Sequence, residues 1–202
     1  MHPNPAFRKT AIGRNLEFAR TRGFGSLCVN GVDGPLQAHV PFLLSPDGTS
    51  AGLHLARSNG IIAAGLPAKA VLAILGDDNY ISPDWYGIDD QVPTWNYIAV
   101  HLRGELVPLP LEALEPHLNA LSDAFEARLM PKPVWKTAKL TEGVMERMMR
   151  MILPFKLLIT DVNATWKLNQ NKPAEARKGV IAALEALGND GLAGAMRDLH
   201  PE

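Results

Sequence analysis

The feature that most constrains the fold of this chain is a series of short apolar runs between residues 24 and 107. Tight-turn sequences, Asp33-Gly34-Pro35 and Pro46-Asp47-Gly48, separate the first three runs. Short apolar runs joined by such turns favour neighbouring antiparallel strands. Strands are predicted at 24–30, 36–44, 51–55, 69–75, 78–82 and within 94–107. Six short strands at this spacing predict a small β-barrel.

Helical patterns flank the predicted strands. Residues 8–21 carry apolar side chains at helical spacing, and Gly23 supplies a C-terminal stop. A second helix follows Pro110 and ends before Pro131. Its predicted apolar face consists of Leu114, Leu118, Leu121, Phe125 and Leu129.

The C-terminal third is predicted to be mostly helical, with one returning strand near 155–162. Helix-favouring residues cover 142–152, where we interpret the methionines, including Met148 and Met151, as adaptable packing. Further helices are predicted at 173–187 and 191–199. The predicted fold class is therefore α+β, mainly β, with flanking helices. We expect one domain over 1–202, with a barrel core and N-terminal helix at 1–110 and helical decoration at 111–202.

Charge and cysteine content exclude several classes of protein. The 20 Lys and Arg residues balance 21 Asp and Glu residues, so no overall charge favours nucleic acid or an anionic membrane. The N-terminus lacks the apolar core of a signal peptide, and no run approaches the roughly 18 apolar residues of a membrane span. We expect a cytoplasmic protein with no membrane partner. Its single cysteine, Cys28, is predicted to be a buried thiol.

Common catalytic signatures are missing from the sequence. It contains no Walker loop, no GxGxxG after a strand, no HExxH and no paired CxxC motifs. Three histidines on separate predicted strands, His39, His54 and His101, would suit a zinc site, but their spacing is unspecific. Local hydrogen bonds or a different ligand pocket explain them better, so we predict no metal site and identify no catalytic residue.

The segment from His54 to Gly60 has the composition of an anion-binding loop. Arg57 offers a planar fork of donors that matches phosphate oxygens, and Ser58 and Asn59 add neutral donors. The alternative is purely structural, with Arg57 in a surface salt bridge and Ser58-Asn59 forming a turn or helix cap.

Two further clusters have unusual compositions. Tyr80–Tyr86 and Val92–Tyr97 place five aromatic residues around one loop, which either fill a barrel end or subunit contact or stack on a flat ligand. Thr165–Lys172 places polar donors around Trp166 and Leu168. This stretch is either a helix-entry loop or a segment that reaches a phosphate or a ring carbonyl.

In this order, the clusters resemble the PaiB family of FMN-binding regulators. The matching motifs are HVPFLL (39–44), GLHLARSN (52–59), YISPDWY (80–86), VPTWNY (92–97), Gly104 at a strand end, and KLNQN (167–171). The resemblance implies a split β-barrel with flanking helices. It also implies a homodimer that holds one FMN at each of two sites at the subunit interface.

The resemblance assigns site residues in three groups. His39, Val40 and Pro41 would run alongside the isoalloxazine ring with their backbone groups. The segment His54, Leu55, Ala56, Arg57, Ser58 and Asn59 would hold the phosphate. Trp95 and Asn96 would lie near the flavin, and Lys167, Gln170 and Asn171 would close the site, across the dimer in one interpretation. The chain departs from the family where Gly60 replaces Pro and where Asn169 replaces Ser.

Three classes of function follow. The resemblance implies a negative regulator of transcription whose state depends on FMN. The second class is an FMN-dependent oxidoreductase or flavin reductase that acts on a nicotinamide or a small organic substrate. The third is a flavin-binding sensor without turnover. The balanced charge and the lack of a helix-turn-helix pattern argue against direct DNA binding, and we interpret Arg177-Lys178 as a solvated face.

Overall fold

In the computed structural model, which describes residues 1–199, six strands form a closed β-barrel. They follow one another around the barrel in the order β1-β2-β3-β6-β5-β4. Their bounds are β1 (Phe24–Gly31), β2 (Gly34–Leu44), β3 (Ser50–Ala56), β4 (Ala68–Ile81), β5 (Thr94–Pro108) and β6 (Ile152–Lys167). β1 is antiparallel to both β2 and β4, and β3 is antiparallel to both β2 and β6. The predicted fold class is confirmed.

Six α-helices accompany the barrel within residues 1–199. They are α1 (Ile12–Arg22), α2 (Gly60–Ala63), α3 (Leu114–Glu126), α4 (Val144–Met149), α5 (Ala174–Ala186) and α6 (Asp190–Leu199). Each predicted helix has a counterpart among them, although the first begins at Ile12 rather than near residue 8, where a short 3₁₀ turn precedes it. None of the helices in the described residues is long and apolar enough to cross a membrane.

The chain divides into two compact units. Unit 1 comprises Met1–Asn15, Leu75–Val100 and Asn163–Glu202, and unit 2 comprises Leu16–Ile74 and His101–Val162. In unit 2, side chains that point into the barrel form the core, including Leu27, Phe42, Leu53, Leu72 and Leu157. In unit 1, α5 and α6 contribute the fully buried Val180, Leu184, Leu192 and Ala193. The predicted division near residue 110 stays a prediction.

Two strands predicted at 69–75 and 78–82 are one continuous strand, β4, so the prediction of a break between them is wrong. The Gly76-Asp77-Asp78 sequence resembles a turn, but tertiary contacts hold it extended. A Cβ added to Gly191, at the start of α6, would overlap the Asp77 carboxylate, and Asn189 Nδ2 donates to the Asp78 carbonyl at 3.3 Å. The returning strand is also longer than predicted, running from Ile152 to Lys167 as β6, the sixth barrel strand.

Four side chains differ in burial from the prediction. α3 ends at Glu126 and a tighter 3₁₀ turn follows, so Leu129 leaves the apolar face and is exposed. Met148 is exposed on the short α4, which buries none of its residues, and Met151 is exposed between α4 and β6. Cys28 is only half-buried, since the alternation of β1 directs Leu27 and Val29 inward instead.

Candidate functional site

The segment His39–Pro41 lies on β2 in unit 2. Val40 points into the barrel and is buried, whereas His39 is exposed and its Nδ1 lies 2.9 Å from Oγ of Ser26, its cross-strand partner on β1. β2 pairs with β1 along 34–41, but its pairing with β3 covers only 42–44. The β3-facing edge of His39–Pro41 therefore lies outside the paired ladder and leaves backbone groups for a ligand.

His54 lies on β3 with its side chain toward α3. Its Nδ1 is 3.3 Å from Nε2 of His117, and Gly52 leaves the space that the His117 ring fills. Burial lowers the pKa of His54. Burial and, to a smaller extent, the charge of a protonated His54 lower the pKa of His117 to about 4. His54 is thus held as a neutral ring between β3 and α3. Leu55 is buried in the barrel, and Ala56 is exposed at the end of β3.

Arg57 begins the loop after β3 and is exposed. Its backbone N–H donates to the Met151 carbonyl at 2.9 Å, and its Nε donates to the Arg150 carbonyl at 2.6 Å. The guanidinium is therefore fixed on one side. Its two terminal nitrogens have no hydrogen-bond partner within residues 1–199, so the salt-bridge interpretation of Arg57 is wrong.

Asn59 acts as the N-cap of α2. Its Oδ1 accepts the Ile61 N–H at 3.0 Å, which confirms the helix-cap interpretation for this residue. Ser58 precedes it as an exposed loop residue. A Cβ added to Gly60 would meet only Leu36 of β2, at 3.8 Å, so the loop passes close to β2 without crowding. Unit 2 therefore brings His39–Pro41 and the 54–59 loop to neighbouring parts of its surface.

Trp95 and Asn96 lie side by side on β5 in unit 1 but differ in burial. Trp95 is 54% exposed, and its ring meets the Tyr80 ring edge-to-face with centroids 6.3 Å apart. Asn96 is fully buried, and its Nδ2 donates to Sδ of Met196 at 3.7 Å. The side-chain oxygen of Asn96, Oδ1, has no hydrogen-bond partner within the described part of the chain.

Lys167 and Gln170 lie where β6 ends, also in unit 1. Gln170 closes this turn: its Nε2 donates to the Trp166 carbonyl and its Oε1 accepts the Leu168 N–H at 2.8 Å. Lys167 Nζ donates to Thr94 Oγ1 at the start of β5. Asn171 is exposed.

The backbone conformation at Asn169 explains why this chain can carry Asn where the family pattern has Ser. Its φ is +61°, in the left-handed region that Asn tolerates better than most residues. The side chain is almost fully buried, and its amide nitrogen makes no hydrogen bond of normal geometry within residues 1–199.

Two residues next to the predicted positions escaped the sequence analysis. His117 occupies the buried side of α3, and its position between Leu114 and Leu121 on the apolar face was the available signal. Lys172 Nζ donates to Gln91 Oε1 and lies 4.9 Å from the Tyr86 ring centre. No pattern in the sequence indicates that Lys172 is near Tyr86.

The three histidines of the zinc hypothesis have separate environments. His39 bonds Ser26, His54 faces His117, and Nδ1 of His101 is buried without a partner in the described residues. Within residues 1–199 no group of three or more potential metal-ligating side chains converges.

Solved structures of flavin-binding proteins share this architecture. The FAD and heme binding protein of Mycobacterium smegmatis superposes with a TM-score of 0.61 at 17% identity, covering 87% of this chain and 80% of that one. Flavocytochrome Anf3 of Azotobacter vinelandii gives 0.56 at 11% identity, covering 82% and 72%. These matches define the class by its fold, a split β-barrel with flanking helices.

The family follows from the sequence comparison. The model described as "Putative FMN-binding domain" matches residues 1–161, and the chain belongs to this family. It is also 28% identical to protease synthase and sporulation protein PAI 2 of Bacillus subtilis (strain 168), over 89% of this chain and 86% of that protein. The predicted relationship to PaiB is confirmed, and FMN is the cofactor that the family assigns to this chain.

Proposed function

We propose that unit 2 binds FMN between the two segments that the sequence analysis selected. The unpaired edge of His39–Pro41 would hold the isoalloxazine ring through its backbone groups. Arg57 binds the phosphate with its terminal guanidinium nitrogens. The observation that carries this proposal is the limited pairing of β2 with β3, which leaves that edge open beside the Arg57 loop.

The residues present suit this ligand in part. Arg57 has two terminal nitrogens available and an anchored Nε, which is the geometry of a preorganised phosphate donor. Asn59 contributes less, because its carbonyl oxygen caps α2 and leaves only the amide nitrogen. His54 and the buried Leu55 shape the strand rather than contact a phosphate, while Ala56 and Ser58 present backbone groups. Contacts with the flavin stay predictions from the resemblance for five further residues: Trp95, Asn96, Lys167, Gln170 and Asn171.

We infer that the protein is an FMN-dependent oxidoreductase whose reactant would be a nicotinamide or a small organic molecule. FMN supplies hydride and single-electron chemistry when bound, and the protein's part is to orient it and exclude competing reactants. The resemblance to PaiB supports a second function, the FMN-dependent lowering of transcription. On α5, Arg177 donates to the Lys172 carbonyl and Lys178 pairs with Glu175, so these cations are engaged within the protein. We therefore propose regulation without direct DNA contact.

We also propose that the protein works in the cytoplasm as a homodimer with FMN at the subunit interface. The resemblance carries this proposal. Several large apolar side chains of each unit are exposed, which supports an apolar contact surface. They include Phe24 in unit 2, and Leu75, Tyr80 and Trp95 in unit 1.

Flavin loading is the first test. Purified protein incubated with FMN and separated from free ligand should retain the flavin absorption band, whereas a colourless protein would contradict cofactor binding. The loaded protein should then oxidise NADH or NADPH in the presence of an electron acceptor. Flavin retention without turnover would reject the oxidoreductase and leave the regulator or the sensor. A gel-shift at low salt would identify direct DNA binding.

A further inference from the structure

Two lysine ammonium groups converge in unit 1 where β6 ends. Lys167 Nζ donates to Thr94 and Lys172 Nζ donates to Gln91, so both lysines reach the short segment 91–94, which ends at the first residue of β5. Both partners are neutral side-chain oxygens. Neither ammonium has a carboxylate within ion-pair distance in residues 1–199, although other lysines, such as Lys132, Lys136 and Lys178, do.

The two ammonium groups repel one another, and no acidic side chain among the described residues pairs with either of them. Burial and, to a smaller extent, the neighbouring Lys172 lower the pKa of Lys167. His2 lies in the same environment, where burial and then Lys167 lower its pKa. Partly buried cations that repel one another without an acidic partner are favourable only if something else contributes negative charge.

Buried polar groups with unmet hydrogen-bonding capacity lie beside the lysines. The Tyr86 ring is under Lys172, and its hydroxyl is buried without a hydrogen bond of normal geometry within the described residues. The amide nitrogen of Asn169 also makes no hydrogen bond of normal geometry within the described residues. It faces the Tyr86 hydroxyl, and this contact opposes the rise that burial causes in the pKa of Tyr86. A hydroxyl and an amide N–H are both donors, so the unused capacity suits an acceptor ligand.

We propose that Lys167 and Lys172 form an anion-binding site for a phosphomonoester, with Tyr86 and Asn169 as neutral donors beside it. An anion of this class carries nearly two negative charges and several acceptor oxygens, which match two ammonium groups and two neutral donors. Lys167 is also among the residues that the resemblance assigns to the flavin, but the contacts that define this site all lie within unit 1. A flavin phosphate held here would replace the contact proposed for Arg57. Its phosphate belongs either to a flavin mononucleotide or to a second, phosphorylated reactant.

The test uses the full chain without flavin and inorganic phosphate as the probe. Phosphate should raise the melting temperature along a saturable curve, whereas potassium chloride at equal ionic strength should not, because a ligand that binds the folded state stabilises it. Lys167→Met and Lys172→Met should each weaken the apparent phosphate affinity roughly tenfold or more, since each removes a charge-assisted hydrogen bond.

Two control variants keep the test interpretable. Lys172→Arg retains the charge and should retain phosphate binding, which separates loss of the site from damage to the fold. Lys178→Gln removes an exposed lysine paired with Glu175 and should match the wild type. A wild type without saturable stabilisation, or equal stabilisation of the wild type and the methionine variants, would overturn the site.

The source of the phosphate is decided by comparing FMN with riboflavin. If the site holds the flavin phosphate, Lys172→Met should reduce the affinity for FMN and leave that for riboflavin unchanged. If it holds a second reactant, the FMN-loaded wild type should still bind inorganic phosphate and Lys172→Met should bind FMN normally. Either result supports the site, and failure to bind FMN at all would refute only the separate proposal for unit 2.

Discussion

At the scale of single residues, Gly104 shows how one position permits two strands to approach. The sequence analysis placed it at a strand end, but it lies inside β5. A Cβ at this position would overlap the carbonyl oxygen of Leu158 on β6 and lie 2.7 Å from its carbonyl carbon. Because both atoms belong to the backbone, no side-chain rotation relieves the overlap.

We therefore expect Gly104→Ala to destabilise the protein by roughly 3 kcal/mol, the upper part of the range for forced overpacking. The free energy of unfolding in urea measures it. Gly194→Ala is the matched control, since a Cβ there meets nothing within 4 Å and Ala favours the helix. Equal unfolding midpoints for the two variants would contradict the close approach at Gly104.

Arg57 carries the proposed phosphate contact at the same scale. Replacing it with Ala should weaken FMN binding roughly 10- to 100-fold, the effect of losing hydrogen bonds to a charged group. Arg57→Lys keeps the charge but loses the fork and should give an intermediate affinity. Flavin fluorescence quenching measures the dissociation constant.

Arg147→Ala is the control for Arg57, since it removes an exposed arginine from α4. Riboflavin affinity should change little in Arg57→Ala, because riboflavin lacks the phosphate. If Arg57→Ala binds FMN as the wild type does, the phosphate lies elsewhere in the protein.

At the scale of elements, the His54–His117 contact joins β3 to α3. Above pH 6.5 both rings are neutral in the folded and unfolded states. As the pH falls below 6.5, His117 of the unfolded chain takes up a proton, whereas the folded protein resists until about pH 4. A depressed histidine pKa therefore makes the folded state less stable as the pH falls from 6.5 to 4.

We expect this loss to be roughly 1–2 kcal/mol, because one pKa unit corresponds to about 1.4 kcal/mol and solvent screens the half-buried ring. Urea unfolding between pH 7 and pH 4 measures it. His117→Gln cannot titrate and should show a smaller decrease, with His54 still contributing in the same direction. A variant whose stability depends on pH as steeply as that of the wild type would show that His117 is not responsible.

At the scale of the whole molecule, we expect sedimentation equilibrium to give twice the mass of one chain, because exposed apolar side chains favour self-association. Trp95, which is 54% exposed, provides the test. Trp95→Ser should shift the equilibrium toward the monomer, and Val32→Ser, which removes another apolar side chain at a fully exposed turn, should not. A monomeric wild type at micromolar concentration would refute the dimer.

Local patterns in the sequence are sufficient to predict the strands β1, β2 and β3, the helices α3 and α5, and the clusters that identify the flavin family. These features depend on local rules: alternation of apolar residues, turn chemistry and helical spacing act over a few residues. The helix cap at Asn59 belongs here too, since it joins one side chain to a backbone N–H two residues later. The binding of an anion by the Arg57 loop stays a prediction.

The groups that those residues contact depend on the folded chain. Asp77 lies in a continuous β4 because the start of α6 packs there, and His54 is half-buried because His117 comes from a helix far along the chain. Lys167 and Lys172 converge on one segment because β5 begins beside the end of β6. Such contacts join residues separated by tens of positions, so no local pattern encodes them; they exist only once the barrel has closed.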